Sequence, residues 1–128
     1  MNKLHSLVLA ITLLIGSVSA ATAQDFDKGF EAYDAGDYQT AVQEWRPLAE
    51  QGNSDAQINL GVMYYNGNGV LQSNVMAHMW YNIASANGNS QAGEFRDERA
   101  GQMSQADIAK AQEMARECMS SNYQNCGE

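Results

Sequence analysis

His78, the cysteines Cys118 and Cys126, the pair Gly67-x-Gly69 and the pair Asp25-x-Asp27 are the residues whose types and spacing bear on chemistry. A histidine acts as a general base when an acid or nucleophile lies within hydrogen-bond reach. The helical neighbours of His78 at i±4 are Asn74 and Asn82, which are neither. His78 is therefore expected on a partly exposed helix surface. Gly67-x-Gly69 would suit a phosphate-cradling loop, but it follows a helical segment, and Gln72 stands where a third glycine is needed. A turn requiring positive φ accounts for both glycines. Asp25-x-Asp27 lacks the other oxygen positions of a calcium loop, so Asp25 is read as the cap of the first helix. Neither Ser-x-x-Lys nor Lys-Thr-Gly, the signatures of β-lactam chemistry, occurs. The expectation is a chain without catalytic residues, cofactor or metal.

The N-terminus decides how the cysteines are read. Lys3 precedes an apolar run from Leu7 to Ile15, and Ala21-Thr22-Ala23 supplies an A-x-A cleavage site before Gln24. A basic start, an apolar core and small residues before the cut define a secretory signal over residues 1–23. Cleavage after Ala20 is the second option. The apolar run is about half the roughly 20 residues of a spanning helix, so the alternative of an uncleaved anchor is set aside. Export carries Cys118 and Cys126 to an oxidising compartment, where a disulfide is the default. Eight residues of continuous helix would hold them about 12 Å apart, beyond the Cα limit of about 7 Å. Pairing therefore requires the helix to stop near Ser120 to Asn122 and the chain to double back. The two cysteines with a single remaining histidine give zinc no ligand set.

Charge narrows the partners. The formal net charge is −8, and cleavage removes one more positive charge with Lys3. An acidic chain without a basic stripe is a poor nucleic-acid binder, because phosphate neutralisation supplies most of that affinity. It is also repelled by anionic lipid. Another protein or a peptide is the remaining partner class, and self-association is a further option.

The elements that position these residues follow from internal repetition over residues 24–128. Ala41 recurs as Ala77, Trp45 as Tyr81, Gly52 as Gly88, Asn53 as Asn89, Ser54 as Ser90 and Ala56 as Ala92, all at an offset of 36. The first hairpin is predicted as a helix from about Phe26 to Asp34, a turn at Gly36 and a helix from about Tyr38 to Gln51. Asp37 is its N-cap, and Pro47 should bend it after Gln43. Tyr38, Ala41, Val42, Trp45, Leu48 and Ala49 form one apolar face, and Gly52 stops the helix. The second unit begins with a capping box, Ser54 with Gln57. Its first helix carries Ala56, Leu60 and Tyr64 on one face, with Gly61 permitting close approach of a neighbour. After a loop over 66–72, a helix from about Asn74 to Asn87 turns Ala77, Trp80, Tyr81 and Ala84 inward, and Gly88 ends it. A helix from about Ser90 to Arg99 and a last one capped by Ser104 complete the chain. Tyr65 is expected to be less constrained than the other aromatics and exposed.

The motif Leu60-Gly61-x-x-Tyr64-x-x-Gly67-x-Gly69-Val70, followed by Ala77-x-x-Trp80-Tyr81-x-x-Ala84 and Gly88, resembles a full Sel-1-like repeat. Gly29-x-x-Ala32-Tyr33-x-x-Gly36-Asp37-Tyr38-x-x-Ala41-x-x-x-Trp45 is similar to the related tetratricopeptide form with a shorter turn. The resemblance implies an all-α fold, a short right-handed α-solenoid of about three antiparallel hairpins. It also implies a non-enzymatic protein–protein interaction module, in bacteria often an adaptor of the cell envelope, periplasmic or secreted. Stacked hairpins line a curved surface with the first helix of each pair. Phe30, Asn59, Met63 and Asn66 are the candidates for that surface by helical phase. Cys118-x7-Cys126 is also similar to the spacing in the cysteine-rich subfamily, which is associated with β-lactam binding and hydrolysis. A β-lactam- or peptidoglycan-acting hydrolase is thus the alternative, although the cysteine pair occurs once and not in every repeat.

Overall fold

The computed structural model describes residues 25–127; the signal segment expected at 1–23 lies outside them. Among the described residues six α-helices follow in order: α1 (Phe26–Asp34), α2 (Tyr38–Ala49), α3 (Ser54–Asn66), α4 (Asn74–Ala86), α5 (Ser90–Ala100) and α6 (Gln105–Ser120). Among the described residues there is no strand. The helix pairs α1/α2 and α3/α4 pack as hairpins, and α2 packs on α3. Both α5 and α6 pack on α4. The architecture is the all-α, tetratricopeptide-like repeat solenoid that the family resemblance implies, built from the helical hairpins that the periodicity predicts.

Each turn between hairpins is built from the same residues. Gly52 and Gly88 hold φ of 92° and 95°, a left-handed conformation that a side chain would strain. The next amide then reaches back: Asn53 N–H donates to Leu48 O and Asn89 N–H to Ala84 O, each at 3.0 Å. The asparagine then caps the following helix. Asn53 Oδ1 accepts from Ala56 N–H at 2.9 Å, and Asn89 Oδ1 from Ala92 N–H at 3.0 Å. This corrects the expected capping box. Ser54 is already helical, and Asn53 is the residue left extended after the glycine. Gln57, freed from a capping role, goes into the core.

Close approach of the paired helices depends on two glycines. A Cβ at Gly29 would lie 2.3 Å from the Trp45 indole, and one at Gly61 would lie 2.4 Å from the Tyr81 ring. Each hairpin thus lays an aromatic of its second helix on a bare backbone position of its first. Trp45 also donates from Nε1 to Phe26 O at 3.1 Å, satisfying the polar end of a side chain that is 2% exposed. In α2 the predicted face is inside, with Ala41, Val42, Trp45 and Ala49 buried, and the helix runs on through Pro47. Gly67 caps α3 in a left-handed conformation, and Gly69 shares it.

Helix α4 is buried over much of its surface. Ala77, His78, Met79, Trp80, Tyr81, Ile83 and Ala84 are all buried, because α3, α5 and α6 cover it on several sides. His78, expected on a partly exposed surface, is 2% exposed. The repeat pattern identifies only the face toward α3, whereas α5 and α6 pack on α4 as well. Tyr65 is likewise half-buried, with the Arg99 guanidinium 3.7 Å above its ring.

After α6 the chain doubles back. Asn122 and Tyr123 take positive φ of 53° and 62°, and Tyr123 N–H donates to Cys118 O at 2.8 Å. Cys118 and Cys126 are joined by a disulfide with their Cα atoms 4.3 Å apart. The returning segment places the Tyr123 hydroxyl against Asn87, whose Nδ2 donates to it at 3.0 Å.

Candidate interaction groove

The walls of α1, α2 and α3 enclose an open-sided groove of about 140 Å³, lined by Phe30, Tyr33, Trp45, Asn59 and Val62. The groove is built on Trp45. Gly29 lets the indole lie flat against α1, and its ring then meets Phe30 edge-on, with centroids 5.4 Å apart at 75°. Tyr33 lies against the same indole at 5.9 Å. Phe30 also packs edge-on against Phe26 at 5.4 Å. These contacts hold the ring while leaving it 44% exposed.

Asn59 and Val62 close the groove from α3, three residues apart on one helical face. Asn59 supplies its amide. The Nδ2 group is buried and has no hydrogen-bond partner among the described residues, a costly condition for a donor.

Of the four residues expected on this surface, Phe30 and Asn59 come together in the groove. Met63 does not. It is 0% exposed, because α3 is held between α2 and α4 and this position faces the interior. Asn66 is exposed at the end of α3, outside the groove lining. Tyr33, Trp45 and Val62 were not expected there. Val62 had a readable signal: it follows Gly61 as Phe30 follows Gly29, so the two occupy equivalent places in successive repeats.

The charge around the groove is acidic. Asp27 and Asp34 flank Phe30 at i−3 and i+4, and Asp27, Glu31 and Asp34 are all exposed. The nearby bases are engaged within the molecule. Lys28 pairs with Glu44 at 2.8 Å, and Arg46 donates to the Tyr64 hydroxyl at 3.2 Å. Glu44 also accepts from Asp25 N–H at 2.9 Å. The hydrogen bond from Lys28 holds the Glu44 carboxyl below its ordinary value, and the reciprocal bond raises Lys28.

The potential chemistry elsewhere is slight. His78 Nδ1 is buried without a hydrogen-bond partner among the described residues. Burial, and secondarily the charge of Arg96, hold its pKa below the ordinary histidine value, with Asp97 opposing weakly. Among the described residues no group of three or more His, Cys, Asp or Glu is placed to hold a metal ion, and no helix is long and apolar enough to cross a membrane.

Residues 54–89 match the Sel1 repeat family, a span that begins with α3 and ends on the Asn89 cap beyond α4. The chain is also similar to the exopolysaccharide production negative regulator of Rhizobium meliloti (strain 1021), at 28% identity over 104 residues, covering 69% of this chain. It spans only 39% of that relative's length. The matched span coincides with the hairpin whose glycine, aromatic and turn geometry recurs in its neighbours, and residues 54–89 of this chain match a Sel1 repeat.

Proposed function

We propose that this protein is an exported, non-enzymatic adaptor that binds another protein through the groove between α1, α2 and α3. The observation that carries this reading is Phe30, which is fixed by Trp45 and Phe26 and yet left open to solvent at the lip of a concave surface. Sel1 repeats serve as protein-interaction modules, and a relative named as a regulator accords with a role exerted through binding. The groove lining is aromatic, aliphatic and amide, with no nucleophile–base pair, which leaves the hydrolase alternative without support there. An extracytoplasmic site of action draws on the disulfide and on the signal-like residues 1–23. In this reading residues 24–128 form the mature repeat domain.

The test is site-specific photocrosslinking in intact cells. A photoreactive residue in place of Phe30 or Val62 should give a discrete adduct that saturates with partner level. The same residue in place of Glu113, exposed on α6, should give none. Absence of an adduct from both groove positions overturns the reading.

A further inference from the structure

The groove has room for one side chain. Its volume of about 140 Å³ is close to that of cavities of roughly 150 Å³ that accept a benzene ring, and far below the bulk of a docked helix. An occupant therefore inserts a single apolar anchor, and the surrounding charge selects what flanks it.

Resting on the reading above, we infer that the groove takes an extended, basic segment of a partner protein, with one aromatic or leucine-sized anchor between Lys or Arg residues. The carboxylates of Asp27, Glu31 and Asp34 carry no ion pair or hydrogen bond among the described residues, whereas Lys28 and Arg46 are both occupied. The lip of the groove thus presents unopposed negative charge around Phe30. Asp27 and Asp34 stand seven residues apart on one helix face, about 10 Å along the axis. An extended chain covers that distance in about three residues. Basic residues two positions before and after the anchor lie on the anchor's own side of such a chain and reach both carboxylates. The pattern is Lys/Arg-x-anchor-x-Lys/Arg. With rotation of its side chain, Asn59 can present the Nδ2 donor that now lacks a partner to a backbone carbonyl of the ligand. Polyanions, nucleic acid and acidic peptides are repelled by the same lip.

Calorimetric titration with three terminally blocked nine-residue peptides tests this: one with Lys-x-Phe-x-Lys at its centre, one with both Lys replaced by Gln, and one with both replaced by Glu. The basic peptide should bind most tightly, and its Kd should weaken about tenfold between 20 and 300 mM salt, as screening of exposed charges requires. Phe30→Ala should weaken it about tenfold or more. The exposed double variant Asp27→Asn/Asp34→Asn should remove most of the salt dependence while leaving the melting curve close to that of the parent. The Glu peptide should not bind. If the Gln peptide binds as tightly as the Lys peptide and with equal dependence on Phe30, the basic partner class is overturned while the groove reading stands. If no peptide shows Phe30-dependent binding, the inference is overturned, and crosslinking at position 30 decides the adaptor reading separately.

Discussion

Gln57 of α3 and Asn87, the residue that follows α4, are 30 residues apart and share a hydrogen bond of 2.9 Å from Asn87 Nδ2 to Gln57 Oε1. The same two side chains link the whole array. Gln57 Nε2 donates to Ala49 O at 2.9 Å, which ties the second unit to the end of α2. Asn87 Nδ2 donates also to the Tyr123 hydroxyl, which ties it to the segment returning from α6. One polar chain therefore runs from the first hairpin to the C-terminal loop beside the turns that separate the repeats.

Gln57 is 0% exposed, so its removal leaves a carbonyl and an amide without their partner. Gln57→Ala should destabilise the fold by about 2–3 kcal/mol, combining a lost buried hydrogen bond and a small cavity. Asn87 is exposed, and Asn87→Ala should cost about 1 kcal/mol because water can replace it. Urea denaturation of the singles and the double should give a coupling of about 0.5 kcal/mol or more between them; strict additivity would show that the observed bond contributes nothing.

Gly61→Ala should destabilise by about 1–3 kcal/mol or more, despite the better helix propensity of alanine. The added carbon would lie 2.4 Å from the Tyr81 ring, and that ring is 2% exposed with no space to retreat. Gly29→Ala should behave alike through Trp45. Thermal melts monitored by circular dichroism check both, and an unchanged midpoint would contradict the packing described.

The disulfide closes a short loop, with a sequence separation of eight. Chain entropy assigns such a loop roughly 2–3 kcal/mol. Reduction, or Cys126→Ser, should lower the melting temperature and free Tyr123 from Asn87. Exchange of the Tyr123 backbone amide, now bonded to Cys118 O, should become faster in the reduced protein. Equal exchange in both states would separate the disulfide from the docking of the loop.

His78 confers a pH dependence whose sign is fixed by its surroundings. Its folded-state pKa is lowered from 6.5, chiefly by burial. The unfolded chain therefore binds the proton more readily, and stability falls as pH drops below about 6.5 toward the lower folded value. Above pH 7 both states are neutral and the effect vanishes. His78→Gln should flatten the difference in denaturation midpoint between pH 7 and pH 5; an identical slope in the variant would assign that dependence to other groups.

Much of this fold could be read in advance because the determining interactions are local or repeated. Helix bounds such as Phe26–Asp34 followed from apolar spacing and turn glycines. The 36-residue recurrence from Trp45 to Tyr81 identified aromatics that face a partner helix, and Gly61 declared a close contact without naming its neighbour. The groove was half legible. Phe30 and Asn59 were found by helical phase, but a step of one residue turns a helix by about 100°, so choosing Met63 in place of Val62 exchanged the interior for the surface.

What the amino-acid sequence determined by itself is therefore the helical repeat, its turns and the pairing of small residues with aromatics, all consequences of spacing along one chain. Tertiary structure decided the rest. The burial of His78 depends on the helices that pack on α4 beyond its hairpin partner, with Arg96 and Asp97 of α5 nearby, and the role of Gln57 on Asn53 taking the cap. The groove exists because Trp45, placed over Gly29 by hairpin packing, holds Phe30 at the surface opposite α3. Such features arise where faces from separate helices meet, and periodicity along one helix carries no information about the face that will cover it.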